Sequence, residues 1–210
     1  MIRDLTELEQ VFYAPCVGQL SFYSADARQP GVGDLAGLLC GPGQAMGFGR
    51  GTAARVSVVL EDRWRATALA RACAERGVVA EVATTEESHA LVRTAFRSDL
   101  TRLAADWLRG GAAKSVPPEF ELDGAVLRFW ALVSGKWTDS GYALGLDPDA
   151  PETHEPLRAA LIGSGLPCTL LGITGSGPAL RVNGRRRLAR LAELVGDPPS
   201  GVAERTWPAA

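Results

Sequence analysis

The sequence has no cysteine pair at metal-ligand spacing, only two histidines, no apolar run long enough to cross a membrane and no excess of positive charge. Each absence excludes something. The four cysteines, Cys16, Cys40, Cys73 and Cys168, lie far apart, and with His89 and His154 as the remaining soft donors no zinc site is expected. They read as small buried thiols of a reducing compartment, since a chain of 210 residues buries enough core without disulfides. Lacking a signal peptide or spanning run, the chain reads as cytoplasmic, with no membrane contact. No cofactor is expected. Gly47-x-Gly-x-Gly51 does not stand between a strand and a helix, as a dinucleotide loop must. Ser176 lacks the strand-then-helix setting of an activated nucleophile. A formal net charge of −2 argues against strong phosphate-driven binding to nucleic acid, although a basic face can persist within an acidic whole.

What is present is ordinary globular material, 46% hydrophobic and 22% charged. Residues 1–32 read as an N-terminal extension with a short helix over Asp4–Phe12. Asp34 is placed to cap a compact apolar helix that follows it. Gln44–Gly49 and Arg55–Leu60 read as strands around a Gly49-Arg50-Gly51 turn, with Val56, Val58 and Leu60 facing a core. Asp62 opens a helix that Gly77 ends. Val78–Ala83 and His89–Arg93 form a second hairpin. Leu100, Leu103, Ala104, Trp107 and Leu108 stripe one side of a helix over Ser98–Arg109.

A proline-stiffened linker over 112–124 comes next, and then the order repeats. Ala125–Gly135 is an apolar helix, Lys136–Thr138 and Tyr142–Leu146 a hairpin, and Thr153–Gly163 a helix. Cys168–Ile173 and Ala179–Asn183 form another hairpin, Arg185–Val195 a closing helix, and 198–210 a loose tail apart from Trp207. The halves, 33–111 and 125–197, repeat at an offset of 94 residues, Leu35 against Phe129. Such self-similarity predicts a pseudo-symmetric pair within one monomeric chain. Trp107 and Trp130 fit the core, whereas Trp64, Trp137 and Trp207 are expected to be partly exposed.

Leu35-Ala-Gly-Leu-Leu-Cys-Gly-Pro-Gly43 resembles the motif helix of the LAGLIDADG homing endonucleases, and Phe129-Trp-Ala-Leu-Val-Ser-Gly-Lys-Trp137 resembles a decayed second copy. Lys114-x-Val-Pro resembles the family's linker, and Val182-Asn-Gly-Arg-x-x-Leu188 its final strand and helix. The resemblance implies a mixed α/β (α+β) fold. Two αββαββα half-domains form a saddle of antiparallel sheets, and the motif helices cross at small residues, here Gly37 and Ala131. It also implies an acid at the end of each motif helix to hold the divalent metals of cleavage. Pro42 and Lys136 stand at those places, so metal-dependent cleavage is not expected. The chain is similar in this to the LAGLIDADG-like part of bacterial WhiA-type regulators, but no helix-turn-helix domain follows residue 197.

In the family the sheets straddle duplex DNA. The residue types that read base edges and phosphates are placed here at Arg50, Arg55, Lys136, Arg181, Asn183, Arg185 and Arg186. Glu81, Asp147, Ala143 and Gly145 are expected at similar outward positions, so the face is mixed. The Arg185–Arg187 cations oppose the helix dipole, a placement that phosphate contact would explain. Three functions are open at this point. One is a non-catalytic, DNA-associated transcriptional regulator. Another is a protein-interaction module of a bacterial regulatory complex. The third is a residual nuclease using displaced acids such as Asp139 and Asp34.

Overall fold

The computed structural model describes residues 24–172, 177–202 and 204–209. The helix expected over Asp4–Phe12 and the turn of the last hairpin lie outside the described residues. The rest contains two four-stranded antiparallel sheets with the same strand order, each packed beneath its own helices.

In the first half a 3-10 turn over Val32–Leu35 leads into α1 (Ala36–Cys40), followed by β1 (Gln44–Phe48), β2 (Ala53–Leu60), α2 (Arg63–Ala74), β3 (Ala80–Thr84), β4 (Ala90–Thr94) and α3 (Thr101–Trp107). The second half has α4 (Gly124–Ser134), β7 (Gly135–Thr138), β8 (Gly141–Gly145), α5 (His154–Gly163), β9 (Cys168–Leu171), β10 (Ala179–Val182) and α6 (Arg185–Val195). A short hairpin, β5 (Leu108–Arg109) with β6 (Ala113–Lys114), stands between them. The sheets run β1-β2-β4-β3 and β7-β8-β10-β9. The αββαββα order and its repeat are those the sequence implies.

Alternation explains the faces. Ala54, Val56, Val58 and Leu60 of β2 are buried toward the helices, while Arg55, Ser57 and Val59 turn outward. Register then assigns the neighbours. Gln44 and Met46 pair with Ser57 and Arg55, and Phe48 with Ala53, so these side chains share the outer face. Arg93 pairs with Ser57 and with Glu81. In the second sheet Lys136, Ala143, Arg181 and Thr169 form one outward row.

The halves meet along α1 and α4. Gly37 lies directly on α4. A Cβ there would run into the Val126 carbonyl oxygen and Phe129 Cβ, and would stand 2.8 Å from the Trp130 nitrogen. Close approach of two backbones is what this glycine supplies. α4 is buried on nearly every side because α1, α2 and α6 all pack on it, and Asp123 caps it by accepting from the Val126 N–H at 2.9 Å.

Several expectations need correction. Asp34 does not cap α1. It sits in the preceding 3-10 turn, where Oδ2 accepts from the Gly31 N–H and pairs with Arg76 Nε at 2.6 Å. The third helix stops at Trp107, because the chain turns into β5 for the Gly110-Gly111 hairpin. Lys114, read as part of the linker, is buried. The tail is not loose. Val202, Trp207 and Pro208 are buried; the Trp207 indole donates to Gly196 O at 2.8 Å, and the Trp137 indole to Trp207 O at 3.1 Å. Trp107 and Trp130 are core residues as expected. Cys40 and Cys73 are buried and Cys168 half-buried. No helix among the described residues is long and apolar enough to cross a membrane.

Candidate functional site

Two places matter: the C-terminal ends of the paired helices, and the outer faces of the sheets. A helix end leaves carbonyls without partners and carries partial negative charge. Here cations from elsewhere in the chain, one buried and one half-buried, satisfy them. At the end of α1, Lys114 Nζ donates to Gly41 O at 2.6 Å and Gly43 O at 2.9 Å. The same ammonium pairs with Asp147 Oδ2 at 2.9 Å, both side chains being almost wholly enclosed. Gln44 donates to the same oxygen at 2.6 Å. Burial pulls the Lys114 pKa below its ordinary value, and the hydrogen bond and charge of Asp147 oppose that shift. At the end of α4, Arg65 reaches across from α2, donating to Leu132 O at 2.7 Å and Gly135 O at 2.6 Å.

Pro42 follows α1 and Lys136 follows α4, at these same ends. The resemblance implies divalent metals gripped here by carboxylates, and the residues present do not fit them. Proline offers no side-chain ligand, lysine repels a cation, and Asp147 is engaged by Lys114 and Gln44. Among the described residues no group of three His, Cys, Asp or Glu could hold a metal. Asp34 lies before the opposite, N-terminal end of α1, and Asp139 is exposed in the β7–β8 turn. Asp147, expected to face outward, is 2% exposed, a correction that follows from its ion pair. His154 Nε2 lies 2.8 Å from Asp147 O, a structural contact.

The predicted nucleic-acid residues divide between the sheets. Lys136 and Arg181 share the outward row of the second sheet, one strand apart from each other across Ala143. Arg181 Nη1 donates to Ser140 Oγ at 2.7 Å. Asn183 continues from β10, and its Oδ1 accepts from Arg187 Nη1 at 3.2 Å. Arg185 and Arg186 are exposed at the start of α6. Arg55 lies on the first sheet, its guanidinium 4.8 Å from the Phe96 ring centroid and its Nη2 3.6 Å from Met46 Sδ. Arg50 is exposed at the tip of the β1–β2 turn, in the left-handed region at φ 58°. Arg93 pairs with Glu81 at 3.1 Å. The first face is therefore richer in apolar side chains than expected. Met46, Phe48 and Val59 are exposed on it, and Phe96 beside Arg55.

The sequence reading missed Lys114, Arg65, Phe48 and Phe96. Lys114 carried no signal, because a lysine next to Ser115, Val116 and two prolines looks solvated. Phe48 did carry one, since it alternates with Ala45 and Gly47 on a strand whose partner β2 already supplies the core face.

No family model matches the chain, and no curated protein does. Solved structures do. The homing endonuclease I-WcaI bound to its DNA recognition sequence matches with a TM-score of 0.56 and 14% identity over 88% of this chain and 90% of that one. Full-length DUF199/WhiA from Thermatoga maritima matches at 0.53 and 15%, over 78% of this chain and 54% of that one. The N-terminal LAGLIDADG domain of DUF199/WhiA matches at 0.52 and 12%, over 79% and 82%. The chain therefore has the LAGLIDADG homing-endonuclease fold, in a degenerate form.

Proposed function

We propose that this chain is a non-catalytic, duplex-DNA-associated regulatory protein on a LAGLIDADG scaffold. The observation that carries the reading is the closure of both helix ends by the protein's own cations, Lys114 on Gly41 and Gly43 and Arg65 on Leu132 and Gly135. Ends filled in this way leave, among the described residues, no group of carboxylates there to receive a metal. Support for DNA comes from the fold, one solved example of which is bound to its recognition sequence, and for regulation from the likeness to WhiA. Lys136, Arg181, Arg185 and Arg186 form the phosphate-facing set of the second half. Asn183 and Arg55 stand where base edges would be read.

The test is an anisotropy titration of a labelled duplex at two salt concentrations. Binding should weaken steeply as salt rises, with a slope set by the number of phosphates engaged. Lys136→Ala and Arg181→Ala should each lower that slope by about one. Absence of any duplex binding at low salt would remove the reading. A second reading, a protein-interaction module, is favoured by the exposed Met46, Phe48 and Val59. It predicts a partner or self-association lost on Phe48→Ala.

A further inference from the structure

Two phenylalanine rings stand in solvent on the outer side of the first sheet. Phe48 is 63% and Phe96 39% exposed. Their centroids are 5.1 Å apart at 41°. Large apolar rings on an open sheet face cost solvation, so a purpose is called for. Their neighbours are guanidinium groups. Arg55 covers Phe96 at 4.8 Å, Arg50 tops the adjoining turn, and Arg93 lies on the same face with Glu81 as the accompanying carboxylate. Beside Phe96 is an open hollow of about 380 Å³, lined by Arg55, Val79, Glu81, Arg93 and Phe96 among others. That size is at the lower end for a small-ligand site, roughly 300–1,000 Å³, and admits a single planar ring.

We propose that this face binds the unpaired bases of single-stranded DNA, one base stacked on Phe48 and a second held in the hollow against Phe96. Flat exposed aromatics interleaved with arginines match the chemistry of a strand whose bases offer π-faces and whose backbone is anionic. A paired duplex hides those faces in its stack and presents only edges and methyl groups to the rings. Arg50 and Arg55 supply charge complementarity to phosphate that an apolar protein partner would not need. The exposed Arg93–Glu81 pair puts donor and acceptor groups at the rim of the hollow, where the edge of a base would meet them. The inference rests on the nucleic-acid reading above, shares Arg50 and Arg55 with it, and concerns a different form of DNA.

The experiment is an anisotropy titration of a fluorescent thymidine oligonucleotide of about 12 nucleotides, a length within known single-strand site sizes. It is run beside its duplex with the complementary adenosine strand, using the full chain. The single strand should bind more tightly than the duplex. Phe48→Ala and Phe96→Leu should each weaken it about tenfold, while Phe96→Tyr, which keeps the ring, should bind as the unaltered protein does. Unchanged melting temperatures check that the variants fold. Preference for the duplex, or equal binding by Phe96→Leu and Phe96→Tyr, would overturn the inference. So would light scattering that shows a dimer dissolved by Phe48→Ala, since the rings would then serve self-association. Duplex binding that persists while single-strand binding fails would sink this inference alone. Failure of both would sink the function proposed above as well.

Discussion

Arg50 shows how single residues carry the cost of a site. It lies between Gly49 and Gly51 in a left-handed turn, and only the glycines adopt that conformation freely. A side chain there costs about 1 kcal/mol, so Arg50→Gly should raise the melting temperature while weakening duplex binding several-fold. A thermal melt alongside the binding titration measures both. If Arg50→Gly melts lower, the turn is not strained. Thiols give a second test at this scale. Burial pushes Cys73 up to about 12, and Cys40 higher still despite the nearby Lys114. Cys168 is raised by the same cause but is only half-buried. The thiolate is the nucleophile. Mass-spectrometric mapping of iodoacetamide labelling in the folded protein should therefore find Cys168 modified well before Cys40 or Cys73.

At the scale of elements, the Lys114–Asp147 pair ties the β5–β6 hairpin to the ends of α1 and β8. Removing one member of a buried pair leaves the other charged and unpartnered. Lys114→Ala should cost about 3–5 kcal/mol in chemical denaturation, whereas Lys114→Met with Asp147→Leu should lie much closer to the unaltered protein. Equal losses in the single and double variants would show that the ion pair itself supplies net stability. Linkage adds a sign. A lysine whose folded pKa lies below its unfolded value of 10.5 holds fewer protons folded than unfolded between those two pH values. Stability should therefore rise with pH across that window on this account, and Lys114→Met should lose that rise. The α1–α4 crossing is as constrained: Gly37→Ala drives a Cβ into α4 and should cost about 1–3 kcal/mol, as overpacking does. These elements also show what was legible in advance. The sequence predicts α6 over Arg185–Val195, the residues it occupies, because an amphipathic stripe between Gly184 and Gly196 leaves little choice. The four long hairpins followed from alternation and turn residues. The enclosure of Lys114 and Asp147 was not legible, since their partners lie far away in sequence and no local pattern announces a tertiary ion pair. The packed tail escaped for the same reason: Trp207 is held by Gly196 and Trp137, contacts that composition cannot foresee.

For the molecule as a whole, duplication accounts for two sheets of identical strand order about one helix pair, and divergence accounts for their unlike outer faces. The second sheet carries Lys136 and Arg181 on either side of Ala143, one strand apart. The first shows Met46, Phe48, Val59 and Phe96. The sequence predicted the cations of both faces by type, but it could not show that Arg93 would be paired to Glu81 or that Arg55 would lie on an aromatic ring. On the proposed function this scaffold holds DNA and does not cut it. Supercoiled plasmid incubated with the protein and Mg²⁺ or Mn²⁺ at low salt, then run on agarose before and after protein removal, tests both parts in one gel. The account predicts retarded plasmid that returns fully supercoiled once the protein is digested away. Nicked or linear plasmid, or plasmid that migrates unretarded, would contradict it.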